Sequence, residues 1–319
     1  MPHQMTYQDP AKQWVEALPL GNGKLGAMVY GNPSCERFCL NDEGLWSGCP
    51  VMEQNPEAKE VLPELRAAIR AKDFVQAEAL AHRMQGPETA SYQPLGDLLI
   101  QSSYRGASTR TLDFRTAVHE VRGDKLKVRS FINDVLVVNY QSEEPLDFVL
   151  ALTTPHAYSK SELSEQTICL CGRGPQACPT SNEVNPTLYA KTDAEALAPL
   201  FDLALHFTTD GEVTETRWKP EAAPALDFYC EGKRKDYVQE QNLKAYAIKG
   251  ARMLNLSLAS AVGLPWTKRR PDPQPGEPLY IADPASATAC RERLGEEVMG
   301  KLQHASLKPS KKYQQLYAR

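Results

Sequence analysis

Carboxylates on predicted strands are the side chains of this sequence best suited to acid–base chemistry. Asp42 and Glu43 are adjacent, and neighbouring residues of an extended strand point to opposite faces, so they do not make a catalytic pair. Charged side chains are rarely buried without a partner, so the other strand carboxylates are predicted to face solvent or lie in turns. These are Asp97, Asp113, Asp147 and Asp202. We therefore predict no catalytic residue within this chain.

Motifs for nucleophiles, phosphate groups and metals are absent or incomplete. No Gly-x-Ser-x-Gly elbow and no glycine-rich phosphate loop occurs, and no serine or cysteine motif surrounds the histidines. These histidines are His119, His156 and His206. Cys169 and Cys171 with Cys178 could be read as a metal site, but the paired spacing of zinc modules and a nearby histidine are lacking. We interpret these cysteines as small apolar strand residues and predict neither a metal nor a cofactor.

Composition narrows the class of protein and its partners. A formal net charge of −4 and a pI near 5.9, with no basic block beyond residues 268–270, predict no nucleic-acid partner. The 8 cysteines show no disulfide framework, which favours a reducing compartment. The first residues do not have the pattern of a signal peptide, and no run of about eighteen apolar residues occurs. The sequence therefore predicts a cytoplasmic protein without a membrane partner.

The elements that position these residues begin with a predicted hairpin. Leu25 to Tyr30 is apolar or small on both faces, as in a buried strand, and turn-forming residues separate it from an alternating run at Glu36 to Leu40. Gly21 and Gly23 flank Asn22 and tolerate positive φ, which suits a tight turn or a close approach to a ligand.

Helical and strand periods alternate along the rest of the chain. Residues 57–85 have the period of a helical hairpin, with Asp73 capping its second helix. Period-two segments follow up to residue 263 and predict roughly a dozen strands in a large antiparallel sandwich. Those that matter below are Val135 to Tyr140, Leu146 to Leu152, Leu226 to Cys230, and a closing hairpin of Leu243 to Lys249 with Met253 to Ala261 around Gly250.

Three domains or segments are predicted from these changes of character. Residues 1–263 form the sandwich with its helical insertion, and the proline-rich residues 264–282 form a linker. Residues 283–319 form a helical connector that begins at Asp283-Pro284. Its apolar stripe is Cys290, Leu294, Val298 and Leu302.

Several ordered motifs carry a resemblance to a known family. They are Trp14, Glu16 to Gly23, Leu25 to Met28, Leu40-Asn41, Leu45 to Gly48 and Tyr92 to Leu98. Together they resemble the N-terminal domain of glycoside hydrolase family 95, and the resemblance extends from Trp14 to the end of the chain. Lys24 stands where the family usually has arginine, and Asp42-Glu43-Gly44 where it usually has Glu-Asp-Thr. An arginine fork is not replaced by a lysine, so these departures affect individual side-chain roles.

The resemblance implies both a fold and a division of labour. It implies a large β-sandwich followed by an (α/α)6 barrel that performs inverting hydrolysis of α-L-fucosides, or in some members of α-L-galactosides. The catalytic glutamate, asparagines and aspartate of the family lie in that barrel, beyond Arg319. The expected partners are accordingly the barrel of the same chain and an oligosaccharide substrate, and the chain is expected to be a fragment. The apolar stripe of the connector is then expected to lack a packing partner, as are Tyr313, Leu316 and Tyr317.

Four residues near the ends of the first hairpin are predicted substrate contacts: Asn22, Asn41, Glu43 and Trp46. Amides, carboxylates and an aromatic face are the groups that commonly hold sugars, and this edge is predicted to adjoin the mouth of the barrel. The alternatives left open are a turn role for Asn41 and a core role for Trp46. A free-standing carbohydrate-binding module, with Trp46 or Trp218 in a groove, is the alternative function from another class; a degenerate gene product without activity is the third.

Overall fold

The structure of the protein is a computed structural model, which describes residues 3–86, 90–157, 159–177, 187–220 and 242–309. This described part is mainly antiparallel β-structure, as the sequence predicted. The strands are β1 (Gln4–Tyr7), β2 (Leu18–Gly21), β3 (Leu25–Val29), β4 (Cys35–Asp42), β5 (Gly96–Ser102), β6 (Ser108–Asp113), β7 (Val118–Gly123), β8 (Leu126–Ile132), β9 (Leu136–Thr153), β10 (Lys160–Ser164), β11 (Thr167–Arg173), β12 (Leu200–Thr209), β13 (Glu212–Trp218) and β14 (Leu243–Gly263). The helices are α1 (Ala58–Ala71), α2 (Phe74–Met84) and α3 (Pro284–Gln303). The predicted strand at 226–230 lies outside the described residues.

Two long strands, β9 and β14, join the two layers of the sandwich. They pair with each other on both sides of a register shift near Gly250, where φ is 67°. The first half of β9 pairs with β8 and its second half with β5, while β14 pairs first with β13 and then with β12. The closing hairpin predicted around Gly250 was therefore wrong, as was the separation of residues 135–140 from 146–152. Glycine at positive φ serves here in a β-bulge that bends a continuing strand.

The remaining strands extend each layer. One layer runs in the order β1-β6-β7-β8-β9-β14-β12-β11-β10, and the other runs β2-β3-β4-β5-β9-β14-β13. The apolar side chains of both layers meet in one core, whose largest fully buried members include Phe38, Tyr140, Phe201 and Phe207. The predicted hairpin of β3 and β4 is confirmed, and Val29 pairs with Phe38 within it.

The predicted helical hairpin is formed by α1 and α2, and the Asp73 carboxylate accepts the backbone N–H of Gln76 at 3.0 Å as its N-cap. The two helices bury their own small cluster, which includes Val61, Ala68 and Leu80. Among the elements that the structure describes, each of these helices packs mainly on the other.

Helix α3 covers the outer face of the first layer. Cys290, Leu294 and Val298 are buried there against Ala204 and Ala261. The expectation that this stripe lacks a partner was therefore wrong: small side chains on β12 and β14 let the helix lie close to the sheet. A Cβ added to Gly263 would come within 2.8 Å of the Cys290 sulfur. Tyr313, Leu316 and Tyr317 lie outside the described residues.

The proline-rich stretch after Gly263 packs against the body of the protein. Trp266 is 6% exposed, donates its indole N–H to the Leu197 carbonyl at 2.7 Å, and stacks on Tyr280 with centroids 3.9 Å apart. Val51 and Pro278 form an isolated bridge. The domain boundaries placed at 263 and 282 stay predictions. Within the described part of the chain, no helix has the length and apolar content needed to cross a membrane.

Candidate functional site

Asn22, the first of the four predicted contacts, is engaged in the turn between β2 and β3. Its side-chain oxygen accepts the backbone N–H groups of Lys24 at 2.9 Å and Leu25 at 2.8 Å. Its amide nitrogen donates to the carbonyl of Asn133 at 2.7 Å, which ties this turn to the turn between β8 and β9. The side chain of Asn22 therefore stabilises this turn, and a contact between Asn22 and a substrate stays a prediction.

Asn41 and Glu43 lie at the end of β4. Asn41 is half-buried opposite Gly26, and Glu43 is exposed just beyond the strand. The Glu43 backbone N–H donates to the Lys24 carbonyl at 2.9 Å, and the Glu43 carbonyl accepts the indole N–H of Trp46 at 2.9 Å. The backbone of Glu43 therefore positions Trp46, whatever its carboxylate does.

Trp46 forms an exposed aromatic pair with Tyr92. The two side chains are 43% and 45% exposed, and their rings meet edge to face with centroids 5.1 Å apart. Their backbones form a bridge, flanked by hydrogen bonds from Ser47 to the Ser91 carbonyl and from Gln93 to the Leu45 carbonyl. The core role that sequence allowed for Trp46 does not hold, because its ring stands at the surface on a fixed backbone.

A cleft of about 480 Å³ opens beside Trp46. Its lining includes Trp46, Val51, Glu53, Gln176, Leu264 and Trp266. Of the four residues predicted from sequence, Trp46 alone is in this lining, so the structure does not bring the four into one cavity. Gln176 and Trp266 come from segments far along the chain, and sequence spacing gave no signal that they would line a cleft together with Trp46. Tyr92 had a signal, since it opens one of the family motifs.

The cleft is poor in groups for acid–base or metal chemistry. Among the described residues that line it, Glu53 is the single carboxylate, and no lysine, arginine or histidine is present. Inverting glycoside hydrolysis needs an acid and a base held about 6.5–9.5 Å apart, which one carboxylate cannot supply. Over the described ranges as a whole, no three His, Cys, Asp or Glu side chains are grouped as metal ligands. Cys178, part of the metal site considered from sequence, lies outside those ranges.

Two of the four carboxylates that were predicted to face solvent or lie in turns are buried instead. Asp97 is 1% exposed and accepts a hydrogen bond from Arg37 at 2.6 Å, and Asp202 is buried beside Arg291 in α3. The prediction that these two face solvent was wrong, because each is paired with an arginine within the protein. Such pairing is the condition under which a carboxylate is buried.

The other carboxylates behave differently. Asp113 accepts the backbone N–H of Arg115 at 2.8 Å, and Asp147 is exposed on β9 and accepts the N–H of Gly250 at 2.8 Å, so both agree with the prediction of solvent-facing or turn carboxylates. Asp42 is fully buried and accepts the hydroxyl of Ser260 at 2.7 Å. No two of these groups line the cleft beside Trp46.

A second polar cluster lies buried between β4, β6 and β7. Glu36 is 1% exposed, and its carboxyl oxygen accepts the N–H groups of Gly31 at 2.9 Å and Arg37 at 3.1 Å. Burial raises the pKa of Glu36 to about 8, against the opposing pull of these N–H groups and of Arg110. Burial, with Arg110 nearby, lowers the pKa of His119 to about 3. Glu36, Arg110 and His119 are all buried, so we expect this cluster to act on stability.

His156 and His206 have hydrogen-bond partners within the protein. His156 lies between the Pro94 carbonyl at 2.7 Å and the Tyr189 hydroxyl at 3.1 Å, and burial lowers its pKa to about 4. His206 meets the hydroxyl of Thr167 at 3.1 Å across the β11–β12 ladder. None of the histidines lies beside the cleft.

A family model described as glycosyl hydrolase family 65, N-terminal domain, matches residues 5–216. The chain belongs to this family. The match covers β1 to β12 and most of β13, and includes the Trp46–Tyr92 pair. The sequence resemblance named family 95, whereas the matching model names family 65; both describe the N-terminal domain of a glycoside hydrolase.

Two proteins that are similar to this chain are named as fucosidases. Alpha-L-fucosidase 2 of Arabidopsis thaliana is 34% identical over 126 residues, which is 38% of this chain and 15% of that protein. Probable alpha-fucosidase A of Aspergillus oryzae (strain ATCC 42149 / RIB 40) is 34% identical over 118 residues, which is 33% of this chain and 16% of that protein. The matched stretches thus span about a sixth of these relatives.

One solved structure that matches this chain is a putative kojibiose phosphorylase from the human microbiome. It matches over 100% of this chain and 35% of its own, with 10% sequence identity and a TM-score of 0.39.

Proposed function

We propose that this chain is the N-terminal sandwich of a family 95 α-L-fucosidase-like enzyme, and that it supports and shapes the active site of a catalytic barrel that belongs to the same chain in the full enzyme. The chemistry is performed by that barrel, and this domain contributes no acid or base. Its partners in the whole enzyme are the barrel and an oligosaccharide substrate. The cytoplasmic location stays a prediction.

The observation that carries the proposal is the pair of fucosidase relatives at 34% identity, together with the family match over residues 5–216. The described residues also support the proposal that this domain contributes no catalytic acid or base. The cleft beside Trp46 has one carboxylate, while Asp97 and Asp202 are committed to arginines. Both of these aspartates are held by their arginines within the protein and are absent from the lining of the cleft.

One observation favours a carbohydrate-binding module as a second candidate. An exposed tryptophan beside a cleft is a common way to hold a sugar ring, and Trp46 is 43% exposed. The two candidates differ in whether sugar binding by this domain serves a catalytic barrel. α-L-galactosidase activity is the alternative within enzymes, and it differs by a hydroxyl on the methyl carbon of the sugar.

The test is hydrolysis of an aryl α-L-fucoside and of 2′-fucosyllactose by two purified proteins. One is the 319-residue chain, and the other is the same chain extended by the downstream reading frame. We expect release of fucose by the extended protein alone. Hydrolysis by the 319-residue chain would contradict the proposal, as would an extended protein that folds but releases only galactose from α-L-galactosides.

A further inference from the structure

We propose that the cleft beside Trp46 is an accessory subsite for neutral pyranose rings of the substrate that lie beyond the fucosyl residue. This inference rests on the proposed function for its place in the enzyme, while binding of the sugar itself can be measured on this chain. It concerns the leaving-group side of the oligosaccharide, which remains after fucose is removed.

The aromatic wall of the cleft is prepared for stacking. The indole N–H of Trp46 is already donated to the Glu43 carbonyl, so what Trp46 can offer a ligand is its apolar ring. Its orientation is fixed, since Tyr92 packs against it and the backbone from Leu45 to Ser47 is hydrogen-bonded to residues 91–93. A rigid aromatic surface loses little conformational entropy when a ligand binds. This low cost helps a ligand that binds weakly, such as a sugar.

Another part of the lining is also fixed in place. Trp266 is held by its hydrogen bond to Leu197 and by stacking on Tyr280. The backbone N–H of Gly48 donates to Pro175 at 2.7 Å, which holds the Trp46 segment against the strand end that carries Gln176. The volume of about 480 Å³ lies within the range of about 300–1,000 Å³ typical of small-ligand sites.

Two polar side chains are available for sugar hydroxyls. Gln176 and Glu53 line the cleft, and neither side chain forms a hydrogen bond in the described part of the protein. An amide both donates and accepts, and a carboxylate accepts from two oxygens, so together they match the hydroxyls of a pyranose.

The charge of the lining selects a neutral sugar. Glu53 supplies negative charge, and the described lining has no lysine, arginine or histidine to neutralise an acidic sugar. Cleavage of a glycosidic bond needs two catalytic groups, and the described lining of this cleft has one carboxylate. The cleft is therefore distinct from the site at which the bond is cleaved. The cleft is therefore suited to holding uncharged rings at a distance from the reacting bond.

The first experiment titrates the 319-residue chain with lactose by isothermal calorimetry and by amide NMR shifts. We expect saturable binding in the millimolar range and shifts confined to residues around Trp46 and Gln176. Trp46→Ala should weaken lactose binding about tenfold, because it removes the ring surface that the sugar covers when it binds. Trp46→Phe should retain most of the affinity for lactose. Glucuronic acid should not bind.

Phe74→Ala is the matched control, because Phe74 is another exposed aromatic side chain, 68% exposed on α2 and absent from the cleft lining. It should bind lactose as the wild type does. Gln176→Ala tests the polar wall separately from the aromatic one. The proposal is overturned if the wild-type chain does not bind lactose, or if Trp46→Ala and Phe74→Ala bind it equally.

The second experiment measures kinetics of the extended protein. Trp46→Ala should raise KM for 2′-fucosyllactose about tenfold with little change in kcat, and this rise should be much larger than the one for an aryl α-L-fucoside, because that substrate has no further sugar ring. An unchanged KM for 2′-fucosyllactose would overturn the subsite. An extended protein without fucosidase activity would instead refute the proposed function, and lactose binding to the 319-residue chain would still stand or fall by the first experiment.

Discussion

Replacing Glu36 by glutamine should remove a large part of the pH dependence of stability. The wild-type carboxyl group is buried, and its pKa in the folded protein is about 8, compared with 4.5 in an unperturbed glutamate. The folded protein therefore holds this proton more tightly than the unfolded chain does. Stability from this group is fully present below about pH 4.5 and is lost as the pH rises to about 8.

The size of the effect follows from the same two values. Each pH unit in this window costs about 1.4 kcal/mol of unfolding free energy, so the loss reaches about 3 kcal/mol at pH 7 and about 5 kcal/mol above pH 8. Glutamine keeps the side-chain oxygen that can accept the N–H groups of Gly31 and Arg37 but has no proton to lose. We therefore expect Glu36→Gln to gain stability relative to wild type steadily from pH 5 to pH 8.

The assay is urea unfolding of both proteins at half-unit steps from pH 4.5 to 8.5. Taking the difference between the two curves cancels every other titrating group, including His119, whose lowered pKa destabilises the protein in acid. Glu212→Gln, at an exposed glutamate on β13, is the control and should give a flat difference. A flat difference for Glu36→Gln, within about 1 kcal/mol from pH 5 to 8, would show that Arg110 and the N–H groups keep Glu36 ionised and would refute the reasoning.

Three further perturbations test the packing of the sheet layers and of α3. Asp97→Ala leaves Arg37 buried without its carboxylate and should cost about 3–5 kcal/mol in unfolding free energy, whereas replacing both residues by leucine should cost less; equal losses would contradict a buried ion pair. Gly96→Ala places a Cβ about 2.1 Å from the Thr153 carbonyl at a φ of 152°, so we expect a fall in melting temperature of about 10 °C or failure to fold, and an unchanged melting curve would contradict the close approach. Arg291→Ala removes the ion pairs to Asp193 and Asp202, so hydrogen exchange should accelerate in α3 while β9 keeps its protection; equal acceleration in both would show that the helix is not a separate unit.

Local patterns were enough to predict the β-rich class, the helical hairpin and both capped helices. Asp73 and Asp283 cap α2 and α3 with their own carboxylates, and capping depends only on residues two or three positions away. The hairpin of β3 and β4 was also accessible, because the turn residues between its strands are local.

Long-range pairing was not accessible in the same way. Gly250 has the local signature of a turn, and only the partner strand β9 makes it a bulge in a continuing strand. The local sequence predicts that Asp97 faces solvent. The carboxylate is buried because the fold brings Arg37, 60 residues earlier, beside it. The cleft is the extreme case, since Trp46 meets Gln176 and Trp266 only after the chain has folded, and neither spacing nor residue type links them.

The strand β14 sets a limit on how this chain can be divided or synthesised. It pairs with β9, β12 and β13 at once, and it lies wholly beyond residue 216, where the family match stops. A chain ending at that point would leave the edges of three strands open in both layers. The ribosome must therefore release residue 263 before either layer can be completed, and until then these edges are open to pairing with another nascent chain.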